Sequence, residues 1–275
     1  MRISVLMSVY DRDDPTHLRM ALESIWSHQC LKPYEIVLVE DGPLNLSLDS
    51  EINDFRNKTG AIIKSVKLSE NKGLTYALNR GIAECSGELI ARMDSDDISV
   101  PSRFKIQHDF FVKNPSTDVL GGAIQEFDDD NDCRFIRYYP DDTQKAKRLI
   151  ATASPFAHPT VMFNRRVFDQ GFTYNEKFRT SQDIELWFRL LLGGFEFANI
   201  STPLVYYRMN EGFEQRRSVQ KAINEFIIYW RGINNVFGWN WRLIFPVFRL
   251  GFRIAPKNVL KKIYRSRLRK VLNSN

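Results

Sequence analysis

The chain has 275 residues, of which 43% are hydrophobic and 26% are charged. This composition excludes a disordered chain, and the length is enough to bury a sizeable core in one or two domains. Three widely spaced cysteines, Cys30, Cys85 and Cys133, favour a reducing compartment over a disulfide framework or a zinc site. The N-terminal apolar run is too short for a signal peptide, and no stretch reaches the roughly 18–20 apolar residues of a spanning helix.

Charge is distributed unevenly along the chain. The net charge is +6, yet no Asp or Glu follows Glu225, and the eleven Lys and Arg residues beyond it leave −5 for residues 1–225. This distribution, an acidic-to-neutral region followed by a basic tail, gives information about binding partners and not about the fold.

Strands and helices alternate four times in the first hundred residues. Apolar runs predict strands at 3–9, 34–39, 61–66 and 88–91. Helical periodicity predicts helices at about 16–28, 47–59 and 74–85, the first capped by Thr16 or Asp14. This alternation predicts a mostly parallel α/β sheet, which binds ligands at the carboxyl ends of its strands.

Later elements are shorter and more mixed. Helices are expected at 103–113 and 141–153, and strands at 118–125, 135–139 and 160–163. The acidic insert at 128–132 is interpreted as a solvated hairpin tip. A further helix is predicted to begin at Thr180 or Ser181, with a hydroxyl cap.

Three carboxylates follow the strand predicted at 88–91. Alternation along an extended chain places Asp94 and Asp96 on one side and Asp97 on the other. Their mutual repulsion is relieved if a divalent cation or sugar hydroxyls bind there. The competing interpretation is a solvated Asp-rich turn or helix cap ahead of Pro101.

Other polar residues fall at the same predicted edge of the sheet. Tyr10 and Asp11 follow the first strand, and Glu40 and Asp41 follow the second, which favours a ligand site. The sequence contains neither Gly-x-Gly-x-x-Gly in the first turn nor a P-loop motif. Phosphates would therefore need another partner, and a metal on the Asp cluster would serve.

Three further candidates lie in the second half. Asp183 falls in the first turn of its predicted helix, where it suits either an N-terminal cap or a preorganised general base. Glu185 faces elsewhere and is a weaker base candidate but a possible acceptor-binding group. His158 lies between two prolines, where a structural role is at least as well supported as a functional one.

Taken together, these motifs resemble those of family 2 glycosyltransferases, which have the GT-A fold. The resemblance spans roughly residues 2–210 and is greatest to the bacterial branch that builds exopolysaccharide and O-antigen or core oligosaccharide. Its carriers, in order, are Ser4–Tyr10, Val39–Gly42, Asn71–Gly81, Asp94–Asp97, His158–Phe163 and Gln182–Trp187. The fold class that this resemblance implies is α/β, with a mixed, mostly parallel Rossmann-like sheet flanked by helices.

The resemblance assigns roles on the donor side. Val9, Tyr10 and Asp41 would contact the nucleotide base, usually uracil, with Glu40 beside them. Lys72 would lie near ribose or phosphate.

It also assigns the metal and the base. Asp94 and Asp96 would be the metal and ribose acids, with Asp97 close by, and the cofactor would be Mn²⁺ or Mg²⁺. Asp183 would be the catalytic base. The sequence departs from the family where a His often follows Tyr-x-Arg, since Asn210 stands at about that place.

The resemblance implies an inverting, metal-dependent transfer from a nucleotide diphosphate sugar, most often a UDP-sugar, to a glycan or polyprenyl-diphosphate-linked acceptor. One alternative is a nucleotidyltransferase, which usually needs a basic or Gly-rich phosphate loop where Tyr10–Asp14 is acidic. The other is an inactive sugar-nucleotide-binding module, which the intact set of aspartates disfavours.

The expected domains are 1–215, the catalytic domain, and 216–275, a helical, basic, amphipathic segment. An amphipathic helix at about 218–234 precedes tryptophans and apolar residues interspersed with arginines, which is typical of a segment in a membrane surface. A helical pair packed on the catalytic domain and a nucleic-acid-binding surface are the alternatives. We expect an anionic membrane surface as partner, no nucleic acid, and a cytoplasmic protein peripheral at the inner membrane face.

Overall fold

The computed structural model describes residues 1–60, 62–127, 133–209 and 219–254. The chain divides into two compact units, residues 1–211 and residues 212–275. The acidic insert at 128–132 and Asn210, both singled out from the sequence, lie outside the described residues.

The first unit alternates strands and helices as predicted. Its strands are β1 (Ile3–Val9), β2 (Glu35–Glu40), β3 (Ile63–Lys67), β4 (Leu89–Met93), β5 (Ile98–Ser99), β6 (Val119–Phe127), β7 (Cys133–Arg137), β8 (Met162–Asn164) and β9 (Phe197–Arg208). Its helices are α1 (Pro15–Ile25), α2 (Leu46–Thr59), α3 (Leu74–Glu84), α4 (Arg103–Lys113), α5 (Thr143–Leu149), α6 (Arg166–Asp169) and α7 (Gln182–Leu192).

One mixed sheet contains all of these strands, in the order β3-β2-β1-β4-β8-β6-β9-β5, with β7 paired to β6. The four strands from β3 to β4 are parallel. Strand β8 is antiparallel to both β4 and β6, and β6 is parallel to β9. The carboxyl ends of β1, β2 and β4 therefore lie at the same edge of the sheet. The carboxyl ends of β6 and β9 also lie next to each other.

Burial explains why the parallel strands of the sheet have continuous apolar sequences. The side chains of β2 from Ile36 onward and all of those of β4 are buried, because helices cover both faces of the sheet. The main core cluster includes Val5, Met7, Leu38 and Leu89 from the strands. Leu18, Leu22 and Ile25 from α1 pack into the same cluster, which fixes that helix on the sheet.

The helix ends agree with the sequence in one case and differ in another. Asp14 caps α1, because its carboxylate accepts hydrogen bonds from the backbone N–H groups of Thr16 and His17. The expected hydroxyl cap of α7 is wrong. Ser181 is the residue before that helix, but it adopts a left-handed conformation (φ 57°, ψ 25°) and its side chain makes no capping hydrogen bond.

Over its described residues, 219–254, the second unit has the helices α8 (Val219–Phe237) and α9 (Ile244–Ile254), which pack against each other. Gly238, at φ 70°, and a short 3₁₀ turn at Trp241–Leu243 connect them. Within the part of the chain that the structure describes, neither this pair nor any other helix has the length and apolarity needed to cross a bilayer.

Candidate active site

The centre of the site is the loop after β4. One carboxylate oxygen each from Asp94, Asp96 and Asp97 lies within 4.8 Å of the others. The expectation that Asp97 faces away from Asp94 and Asp96 is wrong. Strand β4 ends at Met93, and the chain then bends, so strict alternation no longer applies and all three acids converge.

A buried arginine lies beside this cluster. Both terminal nitrogens of Arg92 donate to the two carboxylate oxygens of Asp94 in a bidentate pair. Arg92 is 3% exposed, and its backbone carbonyl accepts a 2.7 Å hydrogen bond from a second buried arginine, Arg103. Arg92 therefore provides a positive charge within the protein where three negative charges meet.

Asp97 ties the cluster to the end of β9. Its Oδ1 accepts a 2.9 Å hydrogen bond from the backbone N–H of Arg208, and the Arg208 Nε donates to the carbonyl of Asp96 at 2.9 Å. Its Oδ2 is buried without a hydrogen-bond partner among the described residues. Burial, together with the charges of Asp94 and Asp96, raises the pKa of Asp97 well above its usual value.

The loop after β1 closes over the cluster through Asp13. The Ser95 hydroxyl donates to Asp13 Oδ2 at 2.8 Å, and the backbone N–H of Tyr10 donates to the same oxygen at 3.1 Å. Burial raises the pKa of Asp13 to about 6, and the charges of Asp96 and Asp94 act in the same direction. Asp13 is thus a fourth carboxylate at this edge.

The end of β2 is built differently. Asp41 is buried, and its two carboxylate oxygens accept hydrogen bonds from the backbone N–H groups of Lys72 (2.8 Å) and Gly73 (2.9 Å). Gly42 follows at φ 92°, and a Cβ there would lie 2.7 Å from the backbone nitrogen of Asn71. Asp41 therefore holds the loop that precedes α3, and only Gly fits beside it.

Among the other donor-side candidates, Val9 is buried and Tyr10 is 40% exposed. Glu40 is buried and pairs with Lys67 at 2.9 Å. The ammonium of Lys72 lies 3.1 Å from Glu70 and 5.4 Å from the centre of the Tyr76 ring. Beside it is an open cavity of about 360 Å³, lined by Glu70, Asn71, Lys72, Thr75, Tyr76, Glu176 and Arg179.

Asp183 lies in the first turn of α7, as predicted. Burial raises its pKa, whereas hydrogen bonds from the backbone at Ile184 and the charge of Arg92 lower it. The charge of Asp94 also raises the pKa of Asp183. A raised pKa suits a carboxylate that accepts a proton during a reaction.

Helix α3 holds the segment that leads to α7. Asn79 forms two hydrogen bonds with the backbone of Tyr174, accepting from its N–H at 3.0 Å and donating to its carbonyl at 2.8 Å. The Thr75 hydroxyl donates to the carbonyl of Phe178 at 2.7 Å. The left-handed Ser181 follows, and such strain persists only where the surroundings impose it.

His158 has a structural partner. Its Nε2 lies 2.7 Å from the hydroxyl of Tyr174, and its ring packs edge-on to Trp187. Burial lowers the pKa of His158 well below its usual value, and the charge of Arg92 lowers it further. The imidazole is therefore neutral at pH 7, and it orients Tyr174, whose pKa is raised by burial.

Glu185 is engaged by neighbours. Its carboxylate pairs with Arg189 at 2.8 Å, and its Oε1 accepts a 3.2 Å hydrogen bond from Asn175. The side chain of Glu185 is 14% exposed. These contacts fix α7 against the segment before it and give Glu185 a structural role in this arrangement.

The structure thus brings Asp94, Asp96 and Asp97 together, and the end of β2 at Asp41 is hydrogen-bonded to the backbone of Lys72 in the loop before α3. Asp183 is linked to them by the charge of Asp94. The residues around the site that the sequence did not single out are Arg92, Asp13, Tyr174 and Asn79. A charged residue in a fully buried strand was the available signal for Arg92, and an acidic loop at a strand end was the signal for Asp13.

The sequence matches the model of glycosyl transferase family 2 over residues 4–172. The chain belongs to this family. Helices on both faces of a mixed sheet, with acids at the carboxyl ends of β1, β2 and β4, therefore form the GT-A architecture of a glycosyltransferase.

Curated relatives of this glycosyltransferase share most of its length. An Escherichia coli UDP-Gal:alpha-D-GlcNAc-diphosphoundecaprenol beta-1,3-galactosyltransferase is 30% identical over 98% of both chains. The amylovoran biosynthesis glycosyltransferase AmsE of Erwinia amylovora is 33% identical over 78% of this chain and 79% of its own. The glycosyltransferase is accordingly of the bacterial polysaccharide type.

Solved structures share the fold. TarS of S. aureus in complex with UDP-GlcNAc has a TM-score of 0.69 at 19% identity and covers 94% of this chain and 74% of its own. The mannosyltransferase PcManGT of Pyrobaculum calidifontis in complex with GDP-Man and Mn²⁺ has a TM-score of 0.61 at 13% identity, with 96% and 78% covered.

Proposed function

We propose that this glycosyltransferase inverts the anomeric centre of a UDP-sugar as it transfers the sugar to a glycan or lipid-linked acceptor, with Asp183 as base and a divalent metal on the Asp cluster. The observation that carries this proposal is the convergence of Asp94, Asp96 and Asp97 at the end of β4. The charge of Asp94 also raises the pKa of Asp183 on α7. Surface polysaccharide synthesis is the process in which its relatives act.

The cluster fits a divalent metal. Three carboxylate oxygens within 4.8 Å of one another are hard ligands of the kind that Mg²⁺ and Mn²⁺ take. Asp97 offers a buried oxygen that no described residue satisfies, whereas both oxygens of Asp94 are bonded to Arg92. Asp96 and Asp97 would hold the metal, with Asp94 beside them. When bound, such a cation neutralises a diphosphate leaving group as a Lewis acid.

In this proposal Asp183 removes the acceptor's proton. As the acceptor oxygen forms its bond to C1 of the sugar, the bond from C1 to the diphosphate oxygen breaks, and the hydroxyl proton passes to the Asp183 carboxylate. Attack from the side opposite the leaving group inverts C1, so an α-linked donor gives a β-linkage. The nucleotide diphosphate departs with the electron pair of the broken bond.

The donor's nucleotide is expected along the ends of β1 and β2. Tyr10 is exposed there, and the loop held by Asp41 presents Lys72 toward the cavity beside α3. A cation and an aromatic ring at one wall, Lys72 and Tyr76, suit a nucleotide phosphate and its neighbouring groups. UDP is the expected nucleotide because relatives that use UDP-Gal and bind UDP-GlcNAc share this chain's family or fold.

The acceptor is expected to be lipid-linked, as the name of the Escherichia coli relative states for that enzyme. Such an acceptor places the catalytic domain, residues 1–215, at the inner face of the cytoplasmic membrane, with the basic residues 216–275 next to an anionic surface. Membership of the glycosyltransferase family removes the support for a nucleotidyltransferase.

The experiment that tests this proposal is nucleotide release by the purified protein from UDP-, GDP- and dTDP-sugars, with Mn²⁺ or with EDTA. Release of UDP from one donor, abolished by EDTA, is the expected result. Nucleotide binding measured by titration calorimetry accompanies it, because hydrolysis without acceptor is slow. Absence of both UDP release and metal-dependent UDP binding would overturn the proposal, and binding without any turnover, even with acceptor lipids added, would indicate an inactive binding module.

A further inference from the structure

The outward face of α9 is apolar. Ile244, Val247, Phe248 and Phe252 are 48%, 51%, 68% and 41% exposed. Their spacing of three and four residues places them on one side of the helix, with Gly251 between them. In a helix at a protein surface, such an apolar stripe normally packs against the core. On α9 the stripe is exposed to solvent instead.

The arginines of α9 lie on its opposite side. Arg249 and Arg253 both pair with Glu225 of α8, at 2.7 Å and 2.8 Å, and Arg249 also stacks at 4.8 Å from the ring centre of Tyr229. Glu225 is buried, and it is the last acidic residue in the sequence. The arginines of α9 therefore pack this helix on α8. The apolar stripe is left facing the solvent.

Exposed tryptophans surround the turn between the helices. Trp239 is 81% exposed and Trp241 is 68% exposed. Trp239 packs edge-on to Trp230, and the guanidinium of Arg242 lies over the rings of Phe237 and Trp241. Indole rings next to a cation are typical of the boundary between lipid headgroups and acyl chains.

The charge of this region matches an anionic surface. Eleven Lys and Arg residues and no Asp or Glu follow Glu225, whereas residues 1–225 carry a net charge of −5. An acidic headgroup layer attracts a segment of this kind, with each cation near the surface adding to the attraction. Neither α8 nor α9 is long and apolar enough to span the bilayer.

We propose that the α8–α9 hairpin docks this enzyme on an anionic phospholipid bilayer, with Ile244, Val247, Phe248 and Phe252 inserted among the upper acyl chains and Trp239 and Trp241 at headgroup level. The inference rests on the proposed function only in that a lipid-linked acceptor gives such docking a purpose. The hairpin lies in the plane of the interface and does not cross it.

The bilayer fits this surface better than the other occupants. A nucleic acid would need cations on the exposed face of α9, yet both arginines of that helix pair with Glu225 and the exposed side chains on its other face are apolar. A second copy of the chain would bring equally basic tails together, which repels at low ionic strength.

The test is co-sedimentation of the full chain with large unilamellar vesicles of phosphatidylcholine containing increasing fractions of phosphatidylglycerol. The double variant Val247→Ser/Phe248→Ser keeps every charge and removes only exposed apolar surface, so the hairpin should still fold. We expect its affinity for phosphatidylglycerol vesicles to fall roughly tenfold or more. The matched control is Leu46→Ser, which removes an apolar side chain that is 87% exposed in the first unit and should bind as the wild type.

A second measurement is independent of any loss of affinity. Brominated lipids should quench the fluorescence of Trp239 and Trp241, and Trp239→Phe/Trp241→Phe should remove most of that quenching. Of the remaining three tryptophans, Trp26 and Trp187 belong to the first unit, and Trp230 is only partly exposed on α8. Raising the salt concentration should weaken vesicle binding without abolishing the contribution of the apolar residues.

Several outcomes overturn the inference. They are absence of vesicle binding by the wild type, equal binding by the double variant, and a dimer in solution that the double variant dissociates. Binding to duplex DNA in place of vesicles is a fourth. UDP release in detergent solution with a short-chain acceptor separates this test from the proposed function, since the double variant should retain that activity even where it no longer binds vesicles.

Discussion

The ends of β2 and β4, on either side of β1, carry acids of the same type that make different contacts. At the end of β2, both oxygens of Asp41 accept backbone hydrogen bonds from Lys72 and Gly73. At the end of β4, three carboxylates face one another, Asp94 is bonded to Arg92, and one buried oxygen of Asp97 has no partner among the described residues.

The carboxylate of Asp41 stabilises a loop through its hydrogen bonds, whereas the carboxylates after β4 keep an oxygen that a ligand could bind. A satisfied buried carboxylate stabilises the fold, whereas an unsatisfied one costs free energy that only a bound cation or donor can return. Both kinds occur at the edge where an α/β sheet binds ligands, so position alone does not distinguish them. Substitutions at each end should therefore change different properties.

The largest effect is expected from Asp183→Asn, which keeps the shape and removes the base. Turnover should fall roughly 10²–10⁴-fold, because proton removal by a positioned carboxylate contributes about that much. UDP binding with Mn²⁺, measured by titration calorimetry, should remain near the wild-type value. Wild-type turnover in this variant would refute the assignment of the base, and Asp54→Asn, an exposed acid on α2, serves as the control.

Asp96→Asn should remove metal dependence. We expect UDP to bind the variant equally with Mn²⁺ and with EDTA, and turnover to fall roughly 10²–10³-fold, because the charge on the leaving group is no longer neutralised. The unfolding free energy in EDTA should stay equal or rise, since one of several repelling charges is gone. A variant that still gains affinity from Mn²⁺ would place the metal elsewhere.

Arg92→Met tests the internal cation of the β4 end. Loss of a buried arginine that is bonded to a carboxylate should lower the unfolding free energy by about 3 kcal/mol. Urea denaturation in EDTA measures it, and Arg92→Lys should recover only part of the loss because Lys cannot form the two-pronged pair. If Arg92→Met unfolds at the wild-type urea concentration, then the pair contributes nothing to folding.

Asp41→Asn should act on the fold and not on the chemistry. The amide can accept only one of the two backbone hydrogen bonds that the carboxylate accepts, so the unfolding free energy should fall by about 1–2 kcal/mol. Thermal unfolding measures it, with the exposed Asp11→Asn as the control at the same edge. Asp41 would belong with the ligand-binding acids if the variant kept its stability and lost UDP affinity.

The smallest effect should be the pH dependence of Asp13→Asn. Because burial raises the pKa of Asp13 to about 6, its ionisation costs stability above that pH and costs little below about 4, the unfolded value. The variant should be more stable than the wild type by about 1–2 kcal/mol at pH 7.5 in EDTA, with the gain shrinking as the pH falls through 6 toward 4. A gain that does not change with pH would rule out this titration.

Much of the fold followed from simple patterns. Strands β1, β2 and β4 are apolar runs because both of their faces are covered, and this made the strand ends and their acids easy to find. The position of Asp94 and Asp96 at the end of β4 was predictable for the same reason. The role of Asp183, on α7, was decided only by the family resemblance and stays a prediction. The position of Asp97 was not, because local alternation fails where a chain bends after its last ladder hydrogen bond.

Tertiary contacts account for the remaining surprises. Nothing near Tyr174 or Asn79 in the sequence indicates that the two residues clamp each other across 95 positions. Ser181 is a residue type that often caps helices, yet its backbone is left-handed, a conformation that local preference disfavours, and its side chain makes no cap hydrogen bond. Arg92 interrupts an apolar strand, and a charge in such a place should always be read together with a nearby acid.

The clamp between α3 and the segment before α7 has a consequence for the timing of the reaction. The loop at Lys72 and Gly73 leads directly into α3, and Asn79 and Thr75 of that helix hold the backbone of Tyr174 and Phe178. If the donor binds against this loop as proposed, the hydrogen bonds of α3 would transmit the ordering of the loop to the segment that leads into the helix carrying Asp183. Binding of donor before acceptor is the order that this connection would favour.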